Sequence, residues 1–199
     1  MVSLLGEIRL QYYHTFYDTA GMWGWIDLEG NEVISPQYVY AMSFYNGQAI
    51  VCKGSWTIDD CNRYWCNDEA WGVIDKTGKE IVPCGYDEIF EVSNTDRFFL
   101  CHKGGWENGC NCIYDADAGE ELFDLDFSFD NGYMFNDCVY QDGWICFDEH
   151  IPGKEVDYIS IYSVKDQKWL VCHETYTERE LNGETKLVVN KDGQEIIVF

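Results

Sequence analysis

The residues of widest chemical reach are ten cysteines, since a thiolate can attack, pair or hold a metal. Four of them, Cys61, Cys66, Cys110 and Cys112, lie in two segments that interrupt an otherwise regular pattern, SWTIDDCNRYWCNDEA (55–70) and GGWENGCNC (104–112). Two converging pairs are what a four-thiolate zinc site needs, yet Cys-x4-Cys with Cys-x-Cys fits the usual spacings only loosely. A labile disulfide is the other chemical option. The four are read as loop cysteines, with no metal and no cofactor expected.

Cys52, Cys101, Cys138 and Cys172 differ. Each closes an apolar run, in AIVCKG, FFLCHKGGW, YMFNDCVY and WLVCHE. A thiol placed by repetition reads as a small buried hydrophobe, which argues for a reducing compartment. His102 and His173 follow two of these cysteines, while His14 and His150 stand alone. Neighbours on a strand point to opposite faces, so neither imidazole can activate the adjacent thiol. No Gly-rich phosphate loop, His-Glu-x-x-His or Gly-x-Ser-x-Gly occurs, and no catalytic residues are assigned. Asp75-Lys76-Thr77-Gly78-Lys79 invites a calcium reading, but lysines stand where oxygen ligands should. It reads as a turn, with Asp accepting backbone N–H bonds and Gly in the left-handed region.

The elements that hold these residues repeat. WGWIDLEGNEVISPQY (23–38) aligns with WGVIDKTGKEIVPCGY (71–86), and weaker copies of the hairpin occur at 112–124, 146–158 and 188–199. The anchors Gly30, Gly78, Gly119, Gly153 and Gly193 are spaced by 48, 41, 34 and 40 residues. Units fall near 23–54, 71–103, 106–140, 144–174 and 186–199. Turn residues such as Asn46-Gly47 and Asp130-Asn131-Gly132 precede the cysteine-ending runs. The runs are short and rich in Ile, Val, Phe, Tyr and Trp, with no sustained 3.6-residue stripe, so each unit reads as a four-stranded meander. The chain is predicted to be one all-β domain of five degenerate repeats. Residues 6–14 would complete the last unit, closing a propeller-like ring, where about 40–45 residues make a blade. An open β-solenoid is the alternative.

These motifs resemble the WG-repeat proteins, a bacterial β-repeat family, through Trp71, Gly72, Ile74, Asp75, Gly78, Glu80, Ile81, Pro83, Tyr86 and Asp87. The match is strong over 23–102 and erodes beyond it. Trp106 is separated from Ile113, Gly143-Trp144 is reversed and the last unit has no tryptophan. The resemblance implies the fold class and brings no catalytic residues.

Charge narrows the partners. With 13 basic and 36 acidic residues the net charge is −23, which argues against nucleic acid or anionic membrane and favours a basic protein. No Lys or Arg falls between Lys103 and Lys154. No apolar run approaches the about 20 residues of a membrane span, and MVSLLGEIRLQYY lacks a basic n-region, so a soluble cytoplasmic protein is expected. The predicted contacts are Trp56, Asp59, Asp60 and Trp65 of the first interruption and Asp115, Asp117, Glu120, Glu121, Asp124, Asp126 and Asp130. The expected role is a non-catalytic acidic module that caps a basic partner surface, as an immunity-type or inhibitor protein would against a toxin or a nucleic-acid enzyme. Carbohydrate or cell-wall binding through the same aromatic rings is the alternative.

Overall fold

The computed structural model describes residues 8–11, 21–27, 29–105, 109–125, 134–150 and 157–198, side chains excluded at 8–11, 134–136, 150 and 198. Among these residues every regular element is a strand, in antiparallel sheets of consecutive strands, and no helix is long and apolar enough to cross a membrane. The first sheet holds β1 (Ile8–Gln11), β2 (Trp23–Ile26) and β3 (Glu32–Tyr38). The second holds β4 (Tyr40–Ala41), β5 (Gln48–Ile58), β6 (Tyr64–Asp75) and β7 (Glu80–Tyr86). The third holds β8 (Glu88–Glu91), β9 (Phe98–Lys103), β10 (Cys110–Asp115) and β11 (Glu120–Leu125). The last runs through β12 (Met134–Gln141), β13 (Trp144–His150), β14 (Tyr158–Ser163), β15 (Lys168–Leu181), β16 (Glu184–Lys191) and β17 (Gln194–Val198).

The sequence unit and the sheet are out of phase by half a unit. The Trp-Gly hairpin β6–β7 supplies the third and fourth strands of its sheet, and β4–β5 come from the unit before it. Single residues carry the chain from the first sheet to the second and from the second to the third. Val39 and Asp87 make these steps, their N–H groups donating to Cys52 O and His102 O at 2.8 Å. A four-stranded meander is therefore present, but not the one the repeat boundaries predict.

Both Trp-Gly hairpins share one irregularity. Trp23 pairs with Tyr38 and Trp25 with Ile34, so Ser35, Pro36 and Gln37 lie opposite Gly24. Trp71 pairs with Tyr86 and Val73 with Val82, which sets Pro83, Cys84 and Gly85 opposite Gly72. Each bulge carries a proline on the outermost strand of its sheet, where a missing N–H costs no ladder bond and blunts an exposed edge. The turns also follow their chemistry. Asp75 Oδ1 accepts from the N–H of Thr77 at 2.8 Å and of Lys79 at 3.1 Å, while Gly78 has φ +84°. Two-residue hairpin turns with positive φ at both positions occur at Asn46-Gly47, Asp142-Gly143, Asn182-Gly183 and Asp192-Gly193.

Inner strands are buried on both faces because the sheets stack in chain order. Val51 and Ile74 pack toward Trp25, Ile34 and Tyr38 of the first sheet, whereas Ile50 and Val73 meet Phe99, Cys101 and Cys112 of the third. Phe98, Leu100 and Ile113 face Cys138, Ile145 and Phe147 of the last sheet. This is why β9 reads FFLCHK, apolar without alternation. Each fully buried aromatic or branched side chain contributes about 1.5–3 kcal/mol.

Three expectations change. Among the described residues β1 pairs with β2, so Ile8–Gln11 joins the first hairpin and does not complete the last unit, and no strand pairing closes a ring. Cys52, Cys101 and Cys138 are buried as predicted, but Cys172 is exposed. The β14–β15 register shifts there, His173 takes φ +54°, and Val171 fills the buried site. The Gly153 turn and Asp126 and Asp130 lie outside the described residues.

Candidate partner-binding surface

The interruption at 55–70 is a continuation of the β5–β6 hairpin, not a loop. Beyond a bulge between Lys53 and Ser55, Trp56 pairs with Cys66, Thr57 with Trp65 and Ile58 with Tyr64. The ribbon leaves the stack and carries most of its side chains into solvent. Its tip is a hidden copy of the framework turn. Asp59 Oδ1 accepts from the N–H of Cys61 at 2.9 Å and of Arg63 at 2.8 Å, and Asn62, at φ +61°, stands where Gly78 stands in the other hairpin. Asp59 Oδ2 accepts from Arg63 Nε at 2.8 Å and from Trp65 Nε1 at 2.9 Å. Those bonds, first the one from Trp65, hold the Asp59 carboxyl below the usual range.

One face of the ribbon is an aromatic row. Tyr40 stacks on Trp71 with ring centres 5.7 Å apart and meets the edge of Trp56 at 5.4 Å. Trp56 Nε1 donates to Gly21 O at 3.1 Å, tying the ribbon's base to the segment before β2. Ile58 and Tyr64 extend the row, and Trp65 on the opposite face is 52% exposed. The Arg63 guanidinium lies 5.3 Å from the Trp65 ring centre. An exposed tryptophan pinned by an indole bond and a cation is ordered before any partner arrives, which lowers the cost of binding. Asp60, Asp68 and Glu69 add exposed acids around it.

The second predicted patch is not one face. Asp115 is 2% exposed and clasped by Arg97, with Nε–Oδ1 at 2.8 Å and Nη2–Oδ2 at 2.6 Å. It also accepts from the N–H of Asp117 and Ala118, so it is framework and not a contact. Glu121 accepts from Tyr86 OH at 2.9 Å and pairs with Lys103, which also reaches Asp124 at 3.0 Å. Asp117 and Glu120 remain exposed. Arg97 and Lys103 are thus spent within the sheet.

The thiols do not gather as a four-cysteine site. Cys61 sits at the tip of the ribbon, Cys66 in β6, and Cys110 and Cys112 in β10 of the next sheet, so Cys66, Cys110 and Cys112 are strand residues and not loop cysteines. Among the described residues the one group of three metal-capable side chains is Cys112, Glu121 and Asp124, their ligand atoms within 4.8 Å, and Lys103 already sits between the carboxylates as the cation. Burial pushes the thiols up, Cys52 to about 12 and Cys84 to about 11, which keeps them protonated and poor nucleophiles. His102, 1% exposed, meets Asn111 Oδ1 through Nδ1 at 2.9 Å and Gly105 O through Nε2 at 3.3 Å. His173 Nδ1 lies 2.7 Å from Oε2 of the buried Glu149.

Stacked antiparallel sheets, with one bulge repeated opposite each Trp-Gly, define an all-β repeat protein with a protruding ribbon. The family model described as WG containing repeat matches residues 23–55 and 71–106. The chain carries WG repeats, and both bulged hairpins lie within the matched stretches. No curated protein matches the chain.

Proposed function

We propose that the chain is a non-catalytic binding module that recognises a basic protein surface through the β5–β6 ribbon. The observation that carries this reading is the exposure of Ile58 at 46%, Tyr64 at 41% and Trp65 at 52% on one ordered hairpin, in a chain of charge −23. Aromatic anchors ringed by polar residues are the usual energetic centre of a protein interface, and the acids steer a cationic partner toward them. An immunity-type or inhibitor role against a toxin or nucleic-acid enzyme is the narrower form of this proposal, reached if the captured partner is such a protein and loses activity on binding.

The test is quantitative capture from cytosol by the wild-type chain and by the Tyr64→Ala/Trp65→Ala variant, followed by affinity measurement on the recovered protein. The variant is expected to weaken binding by about 30-fold. The wild-type association rate should fall as salt rises from about 0.05 to 0.3 M. A partner bound equally by both forms, at a rate indifferent to salt, would remove the ribbon and the charge from the account. Binding to a glycan array abolished by Trp56→Ala would replace it with the carbohydrate reading.

A further inference from the structure

The strands that end the four sheets differ in how they are protected. β1, β4 and β8 are four residues or fewer, too short to template a new strand. β3 and β7 carry the bulges with Pro36 and Pro83. β11 is bulged against β10 and charged through Glu120, Glu121 and Asp124. β12 is covered where Ser93 N donates to Cys138 O at 2.7 Å and Ser93 O accepts from Tyr140 N at 2.9 Å. β17 has none of these devices. It pairs with β16 in unbroken register from Gln194 to Val198 and contains no proline, and among the described residues nothing pairs with its outer side.

This edge is ordered and locally neutral. Lys191 Nζ donates to Leu170 O at 2.8 Å, tying the β16–β17 hairpin to β15. The one acid of β17, Glu195, accepts from both Nη atoms of Arg179, at 2.9 and 2.6 Å, so its charge is compensated. Ile197 is 60% exposed. Across the two-residue turn Asp192-Gly193, Lys191 and Gln194 form a hydrogen-bonded pair, and the alternation of an antiparallel ladder then turns Gln194, Ile196 and Val198 toward β16. The N–H and C=O groups of Glu195 and Ile197 therefore point away from the sheet.

We propose that β17 pairs antiparallel with β17 of a second copy of this chain, across a two-fold axis through Ile196. In that register Glu195 of each copy faces Ile197 of the other, and both residues exchange N–H···O bonds, so every outward backbone group of Glu195 and Ile197 in both strands is paired. Centring the axis on Glu195 would set like charges opposite each other. The edge thus fits itself in one register. Compensation of Glu195 by Arg179 lets two such strands meet although each chain carries a charge of −23. The pairing joins two six-stranded sheets edge to edge and removes the one long edge that the fold leaves unblunted.

Sedimentation velocity of the full chain at about 100 μM is expected to show a dimer. Ile197→Pro should weaken it about 30-fold, because the outward N–H is lost twice per dimer while the ladder to β16 keeps all its donors. An unchanged unfolding midpoint shows that this variant is folded. Ile197→Glu leaves the backbone intact, sets a carboxylate opposite Glu195 of the second copy, and should weaken the dimer as well. Ile58→Glu on the ribbon is the charge-matched control, exposed to a similar degree in the wild type, and should leave the dimer within about a factor of two. Salt raised from about 0.05 to 0.5 M should tighten the dimer, since the copies repel, which is the reverse of its effect on a basic partner of the ribbon. A wild-type chain that stays monomeric overturns the proposal and leaves the edge to the strand of a different protein. A dimer that Ile197→Pro and Ile197→Glu leave intact, or that Ile58→Glu weakens equally, overturns it too.

Discussion

Gly72→Ala is expected to destabilise the chain by about 3 kcal/mol, the upper part of the range for inserting a methyl group where nothing can yield. A Cβ at Gly72 would lie 2.7 Å from Cys84 Sγ, 2.8 Å from Cys84 N and 2.9 Å from Cys84 Cα. Two of those three atoms are backbone, so rotamer changes cannot relieve the clash. The bulge at Pro83, Cys84 and Gly85 would have to move off β6, and it is flanked by Val82 and Tyr86, both part of the core between the second and third sheets. Gly24 meets the same obstacle, with Ile34 O at 2.4 Å and Pro36 N at 2.6 Å from the added atom. Gly85 is the internal control. It sits in the same bulge, a methyl group added there would have nothing within 4 Å, and Gly85→Ala should change stability by no more than about 0.5 kcal/mol. Urea unfolding midpoints of the three variants check the set. Equal effects at Gly72 and Gly85 would mean that the Trp-Gly glycine is not there for close approach.

The second large effect is expected at Arg97. Arg97→Met leaves Asp115, 2% exposed, with an uncompensated charge held only by backbone donors at 3.1 and 3.3 Å. Removing one partner of such a pair costs about 3 kcal/mol, the lower end of the buried range because Arg97 is itself 40% exposed. The pH dependence has a definite sign. Burial alone would raise the Asp115 carboxyl, but the Arg97 hydrogen bonds, the Ala118 N–H and the guanidinium charge hold it below its ordinary value. A depressed carboxyl contributes stability that is present above the unfolded value near pH 4 and is lost as pH falls through the folded value. The gap between wild type and Arg97→Met should therefore be widest near pH 7 and shrink toward pH 3. A gap constant across that window would show that the substitution acts through packing on Phe98, whose ring centre lies 4.8 Å from the guanidinium carbon.

Local chemistry was legible in the sequence where a motif carries its own cause. Asp75 and Gly78 announce their turn, and WG-x-Ile-Asp announces a hairpin, because both depend on residues a few positions apart. The phase of the sheets was not legible. A repeat gives the period, whereas the step from one sheet to the next at Val39 and Asp87 is set by bonds to Cys52 and His102, far along the chain. The ribbon tip carries a legible signal in disguise, since Asp59-Asp60-Cys61-Asn62 repeats the Asp-x-x-Gly spacing with asparagine in the left-handed position. The acidic patch misled for a related reason. Counting charges shows an excess, but Asp115 and Glu121 are neutralised by Arg97 and Lys103, each 18 residues away in sequence and adjacent only in the folded sheet.

Recognition by the ribbon, with the stacked sheets serving as its support, is tested most directly by hydrogen–deuterium exchange of the chain with and without its captured partner. Added protection confined to residues 55–67 is the predicted result, with β9 and β10 exchanging at the same rate in both states. Protection centred on the β10–β11 hairpin, and none on the ribbon, would contradict it.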